Sequence, residues 1–389
     1  MIDLILIRNF KSLADVKLKL GKFTCLIGMN GAGKSTVLQA VDFISQLMIG
    51  RIDEWLAGRS WKSADLNCKV RKESNIAIGI QYTTTSGKRL RWTAQFNRTR
   101  LQCTRETIKD EQSATLFQLK DQTYFIGDNE SRDISFNYQG SLLSALKDSE
   151  LTTELLELRN ALQNIKSLEL LSPQLLRKRS RNTDKDIGAG GEKLSAYLDT
   201  LPAHTRQALS EKIRAFYPGF VEFKVVSMRS GIKKLMVIEE FDGHKLETEA
   251  THLNDGLLRI LAMLTQTASN RSLILLDEIE NGINQEIIEV LVDTLVHTPH
   301  QVLATTHSPL ILNYMTDDVA RGSVKFLYKS NNGETRIRPF FSVPRINDKL
   351  SSMGPGDAFV DTDLRQLALE CMTLDLIEAE GEKQGEAKT

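Results

Sequence analysis

Two hydrophobic patterns divide the chain, and they predict different secondary structure. The first third contains short segments in which apolar and polar residues alternate, for example Val16 to Leu20 and three segments between residues 75 and 108. Such alternation is typical of half-buried β-strands. The last third alternates buried apolar runs (272–276 and 301–305) with amphipathic helical segments. That order predicts a parallel sheet with helices on its faces.

The pattern divides the chain into four parts. We predict an N-terminal lobe with an antiparallel β block at 1–150, an insert of helices and strands at 151–245, a C-terminal lobe at 246–375 and a charged tail at 376–389. Helices are expected at 36–49, within the leucine-rich stretch 151–170, and at 193–216, 253–266 and 285–297. A polar, glycine-rich loop is expected at 177–191. The predicted fold class is α/β, mainly a parallel sheet flanked by helices, with an antiparallel lobe and a helical insert.

Composition narrows the class of protein. The 389 residues carry 50 basic and 50 acidic side chains, so the formal net charge is zero and a nucleic-acid site would have to be local. The four cysteines form no CxxC pair, which indicates free thiols in a reducing compartment. No apolar run approaches the ~20 residues that span a bilayer. We therefore expect a cytoplasmic protein without a membrane partner.

A phosphate-binding sequence lies between a predicted strand and a predicted helix. Gly28 to Ser35 reads GMNGAGKS and matches GxxxxGK[ST], with the flanking elements that this motif requires. Its backbone N–H groups and the helix N-terminus favour an anion. Lys34 is expected to reach the β- and γ-phosphates of ATP, and the Ser35 hydroxyl to bind Mg²⁺. The predicted nucleotide-binding residues are Asn30, Gly31, Ala32, Gly33, Lys34, Ser35 and Thr36.

Two carboxylates follow the buried strand at 272–276. In a parallel sheet, ligands gather at the carboxyl ends of the strands. Asp277 is therefore expected to hold Mg²⁺, and Glu278 to act as general base on the attacking water. Adjacent Asp and Glu side chains, together with the lack of an NKxD sequence, favour ATP over GTP. After the next strand, His307 is expected to face the γ-phosphate, although Ser308-Pro309 could also place it at the start of a surface helix.

Taken together, these sequences resemble the ABC-type ATPases of the SMC, RecF and OLD group, from Met1 to about Phe359. The opening Ile7 to Leu13 is similar to the group's NFKS motif, and Leu253 to Leu261 resembles its signature, with Asn254 in place of the usual serine. Glu280 to Ile283 lies where the group has its D-loop, and Asn137 to Gly140 resembles its Q-loop.

The resemblance implies more residues and a partner. Lys11 would approach the nucleotide, and Gln139 would join Ser35 and Asp277 at the metal, with Gln81 and Gln95 as alternatives to Gln139. Two copies would pair head to tail, so that Asn254 and the Gly256 N–H contact the γ-phosphate bound to the other copy. Hydrolysis would then release the pair.

The resemblance leaves several functions open. The chain shows neither coiled-coil arms nor the ordered acidic motifs of the Toprim nuclease that OLD proteins carry. We therefore expect an ATPase that regulates a separately encoded effector, a nuclease, in bacterial anti-phage defence. A RecF-like DNA-repair clamp is the alternative, and a transporter subunit fits less well because the NFKS opening and the signature differ. The basic run Arg177 to Arg181 is either a solvated face or a nucleic-acid contact.

Overall fold

The computed structural model describes residues 1–127, 129–181 and 186–386. Residues 182–185 of the predicted polar loop and 387–389 of the predicted tail lie outside this described part. The strands are β1 (Ile2–Phe10), β2 (Leu13–Lys19), β3 (Phe23–Gly28), β4 (Asn75–Thr83), β5 (Arg89–Asn97), β6 (Gln102–Lys109), β7 (Thr115–Lys120), β8 (Thr123–Ile126), β9 (Arg132–Asp133), β10 (Ile165–Ser167), β11 (Phe220–Ser227), β12 (Lys233–Phe241), β13 (His244–Glu249), β14 (Leu273–Leu276), β15 (Gln301–Thr305), β16 (Val324–Lys329) and β17 (Thr335–Pro339).

The helices range from one turn to six turns in length. They are α1 (Lys34–Ile49), α2 (Ile52–Gly58), α3 (Thr153–Gln163), α4 (Pro173–Leu176), α5 (Leu194–Thr200), α6 (Ala203–Phe216), α7 (Asp255–Thr267), α8 (Ile288–Val296), α9 (Pro309–Asn313), α10 (Asp317–Ser323), α11 (Pro344–Lys349), α12 (Pro355–Val360) and α13 (Leu364–Glu386).

A six-stranded sheet in the order β10-β14-β15-β3-β16-β17 forms the centre of the fold. All its neighbours are parallel except β16 and β17. Every residue of β3, β14 and β15 is buried, as expected for parallel strands covered on both faces. This arrangement confirms the predicted α/β class with a mainly parallel core sheet.

Alternate residues of the central strands point into two separate layers. On one side, Leu26 packs with α1, α3 and the antiparallel sheet. On the other side, Cys25 and Ile27 pack with α6, α7 and α8. Helix α1 lies between the two sheets, because it packs with Leu26 of β3 in the central sheet, and its Phe43 ring lies 5.5 Å from that of Phe10 and 5.0 Å from that of Phe96 in the antiparallel sheet.

The antiparallel β-structure has more strands than the sequence predicted. Eight strands form one sheet in the order β2-β1-β4-β5-β6-β7-β8-β9, and β11-β12-β13 form a second, three-stranded sheet. The outward side chains of β5 alternate with buried ones along its length, so one face of the large sheet covers α1 while the other stays open.

The predicted insert at 151–245 differs from the structure in two ways. The leucine-rich stretch is not one helix, because α3 ends at Gln163 and the chain continues as β10, which pairs with β14 in the central sheet. The helix predicted at 193–216 is divided into α5 and α6 around Pro202, since proline lacks the N–H that an interior helix position donates. The first part of the predicted insert thus belongs to the core.

The other predicted helices lie close to their expected positions. The segment at 253–266 forms α7, and the segment at 285–297 forms a 3₁₀ turn followed by α8. The cysteines Cys25, Cys68, Cys103 and Cys371 are buried and unpaired. Within the described ranges, no helix combines the length and apolar character required to cross a bilayer.

Candidate functional site

The phosphate-binding sequence forms a tight loop between β3 and α1. Gly28 has φ 147°, and a Cβ there would lie 2.3 Å from the carbonyl oxygen of Leu327. Gly33 has φ 109°, and its Cβ would lie 2.3 Å from Oγ1 of Thr335. Both positions therefore require glycine for backbone conformation and for space. The loop ends where α1 begins at Lys34, so free N–H groups of the helix N-terminus face it.

The neighbouring strand β17 supports this loop through Thr335. Its hydroxyl donates to the carbonyl oxygen of Ala32 at 2.9 Å and lies 2.8 Å from the hydroxyl of Ser12. The Thr335 N–H also donates to the Ser12 carbonyl at 2.8 Å. Thr335 is distant in sequence, and nothing in its sequence context indicates this role.

Lys34 lies folded over its own loop. Its Nζ donates to the carbonyl oxygens of Gly28 at 3.0 Å and Met29 at 3.2 Å. Burial lowers the pKa of Lys34, and the charges of Asp277 and Glu278 oppose that shift. The ammonium group is therefore held between the loop and the acidic strand end, where an anionic phosphate would stabilise its charge.

A carboxylate joins the loop to two strands of the core. Oγ of Ser35 donates to Oδ2 of Asp277 at 3.0 Å, and Oγ1 of Thr305 donates to Oδ1 of Asp277 at 2.5 Å. Parallel pairing of β14 with β15 brings the ends of the two strands side by side. Asp277 therefore reaches the first turn of α1 from the carboxyl edge of the sheet.

The Ser35 and Asp277 oxygens fit a magnesium ion bound together with phosphates. Mg²⁺ is usually held by one or two protein oxygens, with phosphates and water completing its octahedron. A hydroxyl and a carboxylate 3.0 Å apart supply such a pair. The described residues contain no cluster of three or more His, Cys, Asp or Glu side chains that could form an all-protein metal site.

Glu278 follows Asp277 in an unusual backbone conformation. Its φ is 46°, in the left-handed region, which costs a non-glycine residue roughly 1–2 kcal/mol. Its N–H donates to Oγ1 of Thr305 at 2.8 Å, which holds this conformation. The Glu278 side chain is exposed. The turn thus directs Glu278 out of the sheet edge, where a carboxylate could accept a proton from water.

His307 lies at the same edge, after β15. Its N–H donates to Oε1 of Glu280 at 2.8 Å, and the Thr306 hydroxyl donates to Oε2 of Glu280 at 2.9 Å. The His307 ring is exposed, and within the described residues it makes no hydrogen bond. The backbone is therefore fixed to the loop after β14, while the imidazole is free to meet a ligand.

Asn254 and Gly256 begin helix α7. Oδ1 of Asn254 accepts a hydrogen bond from the Leu257 N–H at 2.7 Å and so caps the helix. A Cβ on Gly256 would lie 2.8 Å from the carbonyl oxygen of Gly282, so the start of α7 packs directly on the loop after β14.

The basic run Arg177 to Arg181 is partly engaged within the chain. Arg177 donates to the Leu253 carbonyl at 2.7 Å and also binds Asp255, at the start of α7. Arg179 forms an ion pair with Glu249 at 2.7 Å. Two members of the run therefore support the protein's own structure.

Lys11 reaches the side of α1 rather than the phosphate loop itself. Its Nζ donates to Oε1 of Gln39 at 2.9 Å and lies 3.1 Å from the ring centroid of Trp61. Gln39 is one helical turn after Ser35 and shares its face of α1. Burial and the nearby Arg59 lower the pKa of Lys11 to about 8.

The structure places Gln139, the predicted metal ligand, away from Ser35 and Asp277. Oε1 of Gln139 accepts a hydrogen bond from the Asp53 N–H at 3.2 Å, and a Cβ on the next residue, Gly140, would lie 2.3 Å from the carbonyl oxygen of Leu47. Gln139 therefore lies beside the C-terminal end of α1. Ser35 is 12 residues before Leu47, which at 1.5 Å per residue corresponds to about 18 Å.

A polar network that the sequence did not reveal lies beside the site. Glu169 follows β10, the strand next to β14, and accepts a hydrogen bond from Nε2 of Gln39 at 2.6 Å. Arg59 forms ion pairs with Glu169 at 2.9 Å and with Asp42 at 2.8 Å, and all three side chains are almost completely buried. Because the sequence predicted a helix within residues 151–170, it did not indicate β10, the strand that places Glu169 at this edge of the central sheet.

Comparison with known proteins decides the family. Residues 23–313, about three quarters of the chain, match the family described as "AAA domain, putative AbiEii toxin, Type IV TA system". The chain belongs to this family. The match covers β3 with its phosphate loop, α7, the acidic end of β14 and His307.

One sequence relative of this AAA-domain family member is an OLD nuclease. The chain is 40% identical to an OLD nuclease of Thermus scotoductus (strain ATCC 700910 / SA-01) over 89 residues, which are 22% of this chain and only 16% of that relative's length.

Comparison with solved structures identifies proteins that share the fold of this chain. The chain is similar to an SMC head bound to the C-winged helix domain of ScpA (TM-score 0.53, 14% identity, 87% of this chain and 96% of that one). It is also similar to an SMC head with an extended coiled coil bound to the C-terminal domain of ScpA derived from Pyrococcus furiosus (TM-score 0.52, 13% identity, 90% and 99%). The AAA-domain protein thus has the fold of SMC heads.

Proposed function

We propose that the chain binds and hydrolyses ATP with Mg²⁺, pairs head to tail when ATP is bound, and thereby regulates a separate effector protein. The observation that carries the catalytic part is the hydrogen-bonded connection of Ser35, Asp277 and Thr305 next to the exposed Glu278. It brings a hydroxyl, a candidate metal-binding carboxylate and a candidate base to the edge of the sheet where the phosphate loop ends.

Each group has a distinct task in this proposal. The N–H groups of the loop and Lys34 bind the phosphates, and Lys34 exchanges its two carbonyl partners for phosphate oxygens. Ser35 and Asp277 would hold Mg²⁺, which would supply neutralisation of the charge that develops on the phosphates. Glu278 accepts a proton from the attacking water, and His307 donates to the γ-phosphate.

The proposed dimer uses the start of α7. Asn254 is exposed and caps the helix through its oxygen only, so its amide group can still donate. The helix N-terminus would meet the γ-phosphate held by the other copy, where its dipole favours an anion. Removal of the γ-phosphate would then weaken the contact between the copies.

The effector and its setting are supported by the comparisons. The family description names a toxin–antitoxin system, and a curated relative is named a nuclease. SMC heads of this fold bind a domain of ScpA. We therefore propose a protein partner for this chain, a nuclease, in bacterial defence.

A second candidate function, DNA binding, is favoured by the open face of the eight-stranded sheet. Its outward side chains include the exposed cations Lys17, Lys19, Arg91, Arg105 and Lys109. Arg91 and Lys109 lie directly opposite each other on β5 and β6. Because the net charge of the chain is zero, this basic face is local. Duplex binding that falls steeply with salt, and falls further when Arg91 and Lys109 are replaced by Glu, would support the DNA clamp.

Binding and turnover of Mg-ATP test the catalytic proposal. Lys34→Ala is expected to lose nucleotide binding, whereas Glu278→Gln should bind ATP and lose turnover by 100-fold or more, about the contribution of a general base. Glu286→Gln, an exposed glutamate after the same strand, is the matched control and should hydrolyse normally. Normal turnover by Glu278→Gln would remove Glu278 from the base role.

A further inference from the structure

The open face of the eight-stranded sheet carries a row of amide side chains. Asn75, Asn97 and Gln102 lie directly opposite one another on β4, β5 and β6. In the next row, Gln95 of β5 lies opposite Arg105 of β6. Because neighbouring strands are about 4.8 Å apart, these five side chains form a continuous polar floor on the face that α1 does not cover.

The segment 134–138 forms a wall beside this floor and is fixed at both ends. The Ile134 N–H donates to a carbonyl oxygen in the turn between β7 and β8 at 2.9 Å, and Oη of Tyr138 donates to the Cys103 carbonyl oxygen at 2.6 Å. Between these two anchors, the Phe136 side chain is 41% exposed. An aromatic ring exposed on a fixed segment offers a flat surface on which a planar ligand can stack.

The floor and the wall enclose a cavity of about 990 Å³. A second cavity, of about 440 Å³, shares Gln95 and Arg105 with the first and continues over β4 and β1. Sites for small molecules usually measure about 300–1,000 Å³ and are lined mainly by apolar side chains. The joined groove is long and its floor is polar, so it fits an extended polar ligand better than a compact apolar one.

Several polar groups that line the cavity are not used within the chain. In the described ranges, the side chains of Gln95, Gln102 and Arg105 make no hydrogen bond and no ion pair. By contrast, Nδ2 of Asn97 donates to Oδ1 of Asn75 at 3.0 Å, which fixes that part of the floor. Two amides and one guanidinium therefore remain available to a ligand.

Amide, guanidinium and aromatic side chains together match the parts of a nucleotide. An amide carries a donor and an acceptor side by side, as the edge of a nucleobase does. A guanidinium binds phosphate through parallel N–H groups, and an aromatic ring stacks on the face of a base. Bases inside a duplex are stacked on their neighbours, so a base that stacks on Phe136 must be unpaired.

We propose that this cavity binds unpaired nucleoside phosphates, supplied by a single strand of nucleic acid. A base stacks on Phe136, its edge meets the amides of Gln95 and Gln102, and Arg105 holds a phosphate. The site is separate from the phosphate loop, because it lies on the face of the sheet opposite to α1. The length of the joined groove favours a strand over a free nucleotide as the ligand.

Fluorescence anisotropy of a labelled single strand of about 12 nucleotides, without ATP, tests the site. A strand of equal length that lacks bases should bind about tenfold more weakly, because only its phosphates remain. Phe136→Ala should raise the Kd of the normal strand by about tenfold, whereas Phe241→Ala, at an exposed phenylalanine on β12, should leave it unchanged. Arg105→Gln should reduce the slope of log K against log salt concentration by about 0.7, the value of one phosphate contact on a single strand.

The source of the ligand is determined by competition with thymidine monophosphate. Displacement of the strand only by a large excess of the mononucleotide is the expected result. Displacement at equal nucleotide concentration would show that the free nucleotide is the ligand and would overturn the strand.

Three results would overturn the site itself. They are equal affinity for the normal and the baseless strand, an unchanged Kd in Phe136→Ala, and tighter binding of a duplex than of a single strand. Phe136 and Arg105 are exposed, so their replacement should preserve the fold, and thermal unfolding checks this. Lys34→Ala should bind the strand as the wild type does, so failure of the ATPase proposal would leave this test intact.

Discussion

Thr305 Oγ1 donates a hydrogen bond of 2.5 Å to Oδ1 of Asp277, across the parallel pair β14 and β15. The same oxygen accepts the Glu278 N–H at 2.8 Å. A single hydroxyl therefore orients the candidate metal ligand and stabilises the left-handed turn that exposes the candidate base. This relationship explains why a buried threonine ends β15 after the apolar residues Val302, Leu303 and Ala304.

Replacing Thr305 should impair turnover more than stability. Thr305→Val removes both hydrogen bonds and leaves the part-buried Glu278 N–H without its partner, so we expect a loss of about 1 kcal/mol in the free energy of unfolding. We also expect kcat to fall by roughly 10²-fold, because misplaced catalytic groups commonly cost that much. Steady-state ATP hydrolysis and urea unfolding measure the two effects.

Thr305→Ser is the control, since it keeps the hydroxyl and should retain most of the activity. Full activity in Thr305→Val together with a loss in Thr305→Ser would show that the methyl group, and not the hydrogen bonds, matters.

Glu106 should make stability depend on pH between about 4.5 and 7. It is completely buried on β6 and accepts hydrogen bonds from Trp92, Ser141 and the Leu142 N–H. Burial raises the pKa of Glu106 from 4.5 to about 7, against those hydrogen bonds. The folded state thus binds more protons than the unfolded state in this range, and the contribution to stability is lost as pH rises through the folded pKa.

Urea unfolding at several pH values tests this prediction. The wild-type free energy of unfolding should decline relative to that of Glu106→Gln as pH increases from 5 to 8, because glutamine does not titrate. Glu111→Gln, an exposed neighbour, should follow the wild type. Parallel curves for the wild type and Glu106→Gln would show that the carboxyl group is not protonated in the folded state.

Arg59 is expected to contribute more to the free energy of unfolding than an arginine at the surface. Its ion pairs with Asp42 and Glu169 are nearly buried, so Arg59→Met leaves two buried carboxylates without their cation. Breaking a buried pair in this way costs about 3–5 kcal/mol. Arg51 pairs with Glu54 at the surface, and Arg51→Met should cost less than about 1 kcal/mol. Similar midpoints of urea unfolding for the two variants would contradict the structural role of Arg59.

The sequence was most informative where function depends on adjacent residues. The phosphate loop at 28–35 and the pair Asp277-Glu278 are contiguous, and the type of each flanking element follows from local hydrophobic pattern. The α/β class was predictable for the same reason. The parallel strands β3, β14 and β15 are short, completely buried runs of mainly apolar residues, which composition and length identify well.

Contacts between distant segments could not be predicted in this way. The metal-binding role of Gln139 was predicted from a resemblance of only four residues. The segment that lies beside β14 is β10, a strand of only three residues that follows a helical leucine pattern, and the sequence did not predict this pairing. The supports that Thr335 and Glu169 provide depend likewise on strand order and helix packing. Their residue types alone are common at any surface, so no local signal distinguishes them.

The mass in solution of Glu278→Gln, with and without Mg-ATP, tests the central claim most directly. This variant should bind ATP without consuming it, so the head-to-tail contact through Asn254 and Gly256 should persist. Light scattering is expected to show 43.7 kDa without nucleotide and about twice that mass with Mg-ATP, and the added Asn254→Ala change should reduce the shift. An unchanged mass, in a variant shown by titration to bind ATP, would contradict dimerisation through the start of α7.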